Sequence, residues 1–174
     1  MTAPDVLDFA DKKTDGAYAV TEPSGAPVAW LQVSSWTGAS FSATTASGEP
    51  LCTGRRTGFF SVTWEAVDPG GRVLGSVRSA FWGNSKVVTL ADGRTLTLRG
   101  QLFGRDWSLI DGSGRDVLSS TPTSNGWSFR PDAWLVRCHD LSLSLAEVVA
   151  VVQLNRMMVK SSRASASSSN NMIH

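Results

Sequence analysis

Short runs of alternating apolar and polar residues cover most of this chain. Phe60, Val62, Trp64 and Ala66 fall on one side of an extended backbone, with Ser61, Thr63 and Glu65 on the other. Leu96 and Leu98 oppose Thr95, Thr97 and Arg99 in the same way. A period of two marks strands with one buried face and one wet face. Turn signals punctuate the runs, each carrying a glycine (Gly25, Gly48, Gly71, Gly93, Gly114) at spacings of 23, 23, 22 and 21 residues. Asp68-Pro-Gly-Gly71 and Ala91-Asp-Gly93 are specific hairpin signals, because glycine supplies the positive φ such turns need. The pattern predicts five hairpins: 17–21 with 27–33, 39–45 with 50–57, 59–67 with 72–80, 85–90 with 94–100, and 105–110 with 115–120. Residues 127–130 and 133–138 supply two further strands. Side chains do not repeat from unit to unit, so the period reports architecture and not duplicated binding units.

The pattern then changes. From Leu141 to Met158 the chain reads as one helix, and Leu145, Ala146, Val148, Val149, Ala150, Val151, Val152 and Leu154 cover every angle of the helical wheel. A surface helix shows a single apolar stripe; one that is apolar all round is buried all round. Valine is a mediocre helix former in water, so packing has to stabilise this segment. Ser144 and Glu147 have the spacing of a capping box at its start. Arg156 and Lys160 suit the negative end of the helix dipole. About 18 residues at 1.5 Å each give roughly 27 Å, enough to thread a barrel of short strands. Glu147, Gln153, Asn155 and Arg156 interrupt the alternative, a membrane span. Twelve antiparallel strands would leave costly open edges unless the sheet closes. The expected fold is therefore all-β with one helix: a closed antiparallel barrel of about twelve strands around a buried C-terminal helix. Residues 1–16 are polar and acidic and are expected to form a flexible lead-in. Residues 17–160 form the barrel domain, and the Ser-rich residues 161–174 are expected to be a disordered tail.

The chain has 174 residues, 41% hydrophobic and 18% charged, which fits one globular domain. Its start has neither a basic region nor an apolar run, so no signal peptide is expected. The two cysteines, Cys52 and Cys138, make no disulfide framework, and a cytoplasmic protein is expected. A net charge of +1 gives no reason to expect a nucleic-acid partner. The distribution is less even: residues 51–105 carry eight bases against three acids, a mildly basic middle.

Little chemistry is encoded. Cys138 and His139 are neighbours on a predicted strand, so their side chains point to opposite faces and cannot act as a nucleophile–base pair. His174 and Cys52 are the only other residues of those types, too few for zinc. Gly112-Ser-Gly114 is a hairpin turn and not a nucleophile elbow. Asp68, Asp92 and Asp111 serve turn geometry, and Asp106 and Asp116 are strand-end carboxylates with nothing to pair them. No catalytic residue, metal or cofactor is expected. Of the seven tryptophans, Trp64 and Trp107 lie on apolar strand faces and belong to the core. Phe81 and Trp82 form an aromatic loop that could touch a membrane or partner.

A meander of about twelve strands ending in one hydrophobic helix resembles the tubby C-terminal-like superfamily. The local matches are Asp92-Gly-Arg94, Asp111-Gly-Ser-Gly-Arg115, and the strand 133–138 running into the helix at 145–158. The resemblance covers roughly residues 17–160, and the size is similar to the LURP-one-related branch. It implies a barrel closed around its last helix and, for function, contact with anionic phospholipid such as phosphoinositide through exterior bases. Candidates are Arg55, Arg56, Lys86, Arg94 and Arg99. The proline-rich start, cysteine cluster and calcium-binding segment of the scramblases have no counterpart here, which counts against a scramblase-like membrane protein. The expectation is a non-enzymatic, monomeric binding or scaffold module, peripheral to a membrane, with phospholipid or protein as partner. The alternative is a barrel binding a small hydrophobic ligand, which would need an empty apolar cavity beside the helix.

Overall fold

A computed structural model describes residues 1–33, 40–57, 63–79, 86–100, 106–123 and 133–169. It contains twelve strands: β1 (Val6–Thr14), β2 (Ala17–Thr21), β3 (Pro27–Val33), β4 (Ser40–Thr45), β5 (Pro50–Thr57), β6 (Thr63–Val67), β7 (Val73–Ser79), β8 (Lys86–Leu90), β9 (Thr95–Gly100), β10 (Trp107–Ile110), β11 (Asp116–Pro122) and β12 (Trp134–Cys138). One helix, α1 (Leu145–Ser169), follows. Every strand is antiparallel to its sequence neighbour, and β1 joins β12 to close the barrel.

Five hairpin turns define one end of the barrel. Gly25, Gly48, Gly71, Gly93 and Gly114 all adopt φ between 84° and 89°. Each donates its N–H to the carbonyl three residues earlier, as Gly71 does to Asp68 at 2.9 Å. The repeated spacing in the sequence is thus one turn geometry used five times. The odd strands β3 to β11 leave this turn end and run to the far end.

The helix enters at the turn end. Its capping box is complete: Glu147 N–H donates to Ser144 Oγ at 3.2 Å, and Ser144 N–H donates to Glu147 Oε2 at 2.9 Å. Leu145, Val148, Val149, Ala150, Val151, Val152 and Leu154 are all buried inside the barrel. α1 runs closest to β5, β6 and β7. Small residues on that wall permit the approach: a Cβ on Gly75 would sit 3.1 Å from a Val151 methyl, and Gly54 leaves room for the Phe41 ring. Larger side chains on the opposite wall, Leu7, Phe9, Trp107, Leu118 and Trp134, complete the core.

Two expectations are corrected. Residues 1–16 are not a loose lead-in, because Val6–Thr14 is the strand that closes the barrel. Leu7 and Phe9 point inward, but Asp5, Asp8, Asp11, Lys12 and Lys13 around them mask the alternation. The helix also continues through Ser169 into the Ser-rich segment, since no glycine or proline interrupts 145–169. The segment 127–130 lies outside the described residues.

The strand registers arrange the inward side chains of the even strands in layers. Moving two strands round the barrel brings the matching inward residue two positions nearer the far end: Trp64 aligns through Val77 with Val88, and Lys86 follows two residues beyond. Strand tilt compensates for this stagger, so alternate strands contribute to one level. Toward the turn end that level is Val20, Ala43, Ala66, Val88, Leu109 and Val136. The next level toward the far end is Tyr18, Phe41, Trp64, Lys86, Trp107 and Trp134.

Candidate functional site

The five bases singled out from the sequence do not gather into one patch. Arg55 and Arg56 are exposed near the far end of β5, but alternation sends them to opposite faces. Arg55 is on the outer wall, cross-strand from Ser40 and Glu65; Arg56 lies at the barrel mouth, opposite Trp64. Arg99 is exposed near the far end of β9. It is four strands from Arg55 in a closed barrel of twelve, so the two point roughly 120° apart. Arg94 is at the turn end, in the β8–β9 turn. Lys86 is a correction: it is buried inside the barrel at 5% exposure. Val88 and Leu90 share its inward phase, while Val87 faces out, and the strand's alternation overrides the charge of its first residue. Phe81 and Trp82 lie outside the described residues.

The turn end is an ion-paired rim. Arg94 donates to Asp92 and to Asp140, each at 2.5 Å, and reaches Ser142 Oγ at 3.4 Å. It thereby ties the β8–β9 turn to the segment leading into α1. Arg72 pairs with Asp68, and Arg115 with Asp111. The Ser142 hydroxyl, helped by Arg94, holds Asp140 down to about 2. Backbone N–H groups of Arg72 and Arg94 lower Asp68 and Asp92, and the Ser113 hydroxyl lowers Asp111. A depression of about 330 Å³ beside this rim is lined by Arg94, Arg115, Asp140 and His139. Its two arginines are already paired, Arg94 with Asp92 and Asp140 and Arg115 with Asp111. His139 Nε2 lies 2.8 Å from Ser119 Oγ on the outside, while the Cys138 thiol is buried and donates to the Asp140 carbonyl at 3.2 Å. The two side chains therefore diverge as the strand predicts.

A second depression opens on the outer wall over β4, β5 and β6, with a volume of about 480 Å³. Ser40, Ser42, Thr53, Arg55 and Glu65 line it, together with Phe41, Gly54 and Val67. Arg55 makes no ion pair among the described residues; nor do Arg56, Arg78 and Arg99, although every arginine in the turns is paired. Alternation places Arg55, Thr53, Ser42 and Glu65 on one outer face, a grouping legible only once the β4–β5–β6 register is known. Among the described residues no group of three or more His, Cys, Asp and Glu could hold a metal, and no helix is long and apolar enough to cross a membrane.

No protein-family profile matches the chain, and no curated protein matches it. Among solved structures, a protein of Arabidopsis thaliana (AT5G01750) is similar. The superposition has a TM-score of 0.62 at 16% identity and covers 88% of this chain and 91% of the other. At that identity the likeness is one of fold.

Proposed function

We propose that this protein is a non-enzymatic binding module of the tubby-like kind, close in type to the LURP-one-related proteins. Its ligand is an anionic phospholipid headgroup taken in the groove over β4–β6. The observation that carries this reading is the exposed Arg55, which has no carboxylate partner among the described residues, beside a row of serine and threonine hydroxyls. A guanidinium offers a fork of donors to a phosphate, and the hydroxyls add further bonds. Glu65 is an acceptor for the hydroxyls of an inositol ring. Because α1 takes up much of the lumen, the outer wall is the natural place for a headgroup. Contact with a membrane would be peripheral and cytoplasmic.

Sedimentation with vesicles tests the reading. At low salt the protein should pellet with phosphatidylcholine vesicles containing a phosphoinositide, and not with phosphatidylcholine alone. Arg55→Ala should weaken binding about tenfold, the equivalent of one charge-assisted hydrogen bond. Equal and negligible pelleting in both vesicle types overturns it.

A further inference from the structure

The far-end level of the lumen breaks the rule the rest of the interior obeys. Five of its six inward residues are aromatic, and the sixth is Lys86. Trp64 and Trp107 stand two strands to either side of the lysine, and the Trp107 and Trp134 rings meet edge to face at 5.6 Å. Lys86 makes no hydrogen bond or ion pair among the described residues. Buried lysines are rare unless paired, because the ammonium loses its hydration. Burial accordingly lowers its pKa.

The helix changes character beside this level. After the apolar run to Val152 come Gln153, Asn155 and Arg156, all buried. Arg156 donates through Nη2 to the Ala10 carbonyl at 2.8 Å and stacks on the Tyr18 ring at 5.2 Å, while its Nε is buried without an acceptor in hydrogen-bond range. That contact anchors this part of the helix at the level of Tyr18. Around it, the indole N–H groups of Trp64, Trp107 and Trp134, the Ser120 hydroxyl, and the side-chain carbonyls of Gln153 and Asn155 are buried with no hydrogen-bond partner. Each such group costs about 1–3 kcal/mol when left unmet, so groups like these take their partners from ordered water or from a bound molecule. The unmet groups on the wall are mainly donors, and the free side chain among them is an amine.

We propose that this level of the lumen is a binding site for a short-chain monocarboxylate. Its oxygens accept from Lys86 and from the indole N–H of a flanking tryptophan, and its alkyl tail lies against the aromatic rings. The charge on the ligand neutralises the Lys86 ammonium, and the donors fix its orientation. The site is separate from the exterior groove, so Arg55→Ala leaves it unchanged.

Butyrate is the probe, with butanol as a neutral match for its tail and chloride as a match for its charge. Tryptophan emission should change saturably with butyrate and not with butanol or chloride. Lys86→Met, which keeps the side-chain volume, should raise the half-saturating concentration at least tenfold. In the unaltered protein, indole ¹H–¹⁵N resonances, assigned by single Trp→Phe changes, should shift for Trp64 or Trp107 on adding butyrate. That measurement decides the matter if Lys86→Met fails to fold. No saturable response, an equal response to butanol or chloride, an unchanged titration in Lys86→Met, or indole resonances that stay fixed would each overturn the proposal.

Discussion

Toward the turns, the even strands close around α1 with Val20, Ala43, Ala66, Val88, Leu109 and Val136, all fully or nearly fully buried. One step toward the far end the same strands present Tyr18, Phe41, Trp64, Lys86, Trp107 and Trp134. Backbone geometry is the same at both levels: the same strands, registers and inward phase. The chemistry differs. The even strands bring no polar side chain to the aliphatic level, and what holds it is dispersion and exclusion of water. The aromatic level carries an amine and three indole N–H donors into the interior, and none of them is hydrogen-bonded among the described residues. Packing alone would have continued the aliphatic pattern. The difference teaches that strand register fixes where a side chain goes, but not whether the environment there suits it. Where the two disagree, as at Lys86, the residue is a candidate for function and not for folding.

The contrast can be broken most severely from the aliphatic side. Leu109→Ala should cost about 2–5 kcal/mol, the price of a core leucine plus the cavity it leaves, read as a lower urea midpoint. Lys86→Met should move the other way, a gain within about 1.5 kcal/mol, because a volume-conserving change removes an unpaired amine. Its pH dependence sharpens the point. The folded-state pKa of Lys86 lies below 10.5, so between the two values the unfolded chain holds a proton that the folded one has released. Stability therefore rises with pH across that window, and Lys86→Met should remove this slope. Cys52, raised to about 12 by burial, acts in the opposite sense, losing stability as pH climbs from about 9 to 12. Urea midpoints of variant against unaltered protein at pH 8 and pH 10 isolate the lysine, since Cys52 is common to both. The smallest effect belongs to the rim. Arg94→Ala should cost about 0.5–1 kcal/mol, as expected for a half-exposed network, and the loss should shrink in 1 M salt.

The closed barrel and the interior helix were legible in the sequence because both rest on local signals. The five turn glycines mark the hairpins, and the apolar wheel of residues 145–154 marks a helix with no face for water. The first strand was hidden because Leu7 and Phe9 are only two inward residues among many charges. Helix residues 161–169 were hidden because serine-rich composition resembles a tail until a helix is already running into it. The groove around Arg55 depends on which residues of β4 and β6 lie beside β5, and register over a meander is set by turns and bulges that no local pattern states. Lys86 was partly legible: Lys86, Val88 and Leu90 share a phase, and the apolar pair fixes its direction. Charge marks most lysines as surface residues, and at Lys86 the alternation of the strand prevails over it.

The pairing of β1 with β12 also has a kinetic side. Each hairpin of the meander can form from neighbouring residues, but Val6 meets Arg137, and the Met1 carbonyl accepts from Leu145 N–H at 3.1 Å, across most of the chain. Loops that long close slowly, because their entropy is lost before the contacts that repay it exist. On a ribosome the strand made first would wait for the one made last, exposing an unpaired edge until β12 and the helix emerge together. Barrel closure and helix insertion are then one late event, and the step at which this chain is most open to pairing with another copy of itself.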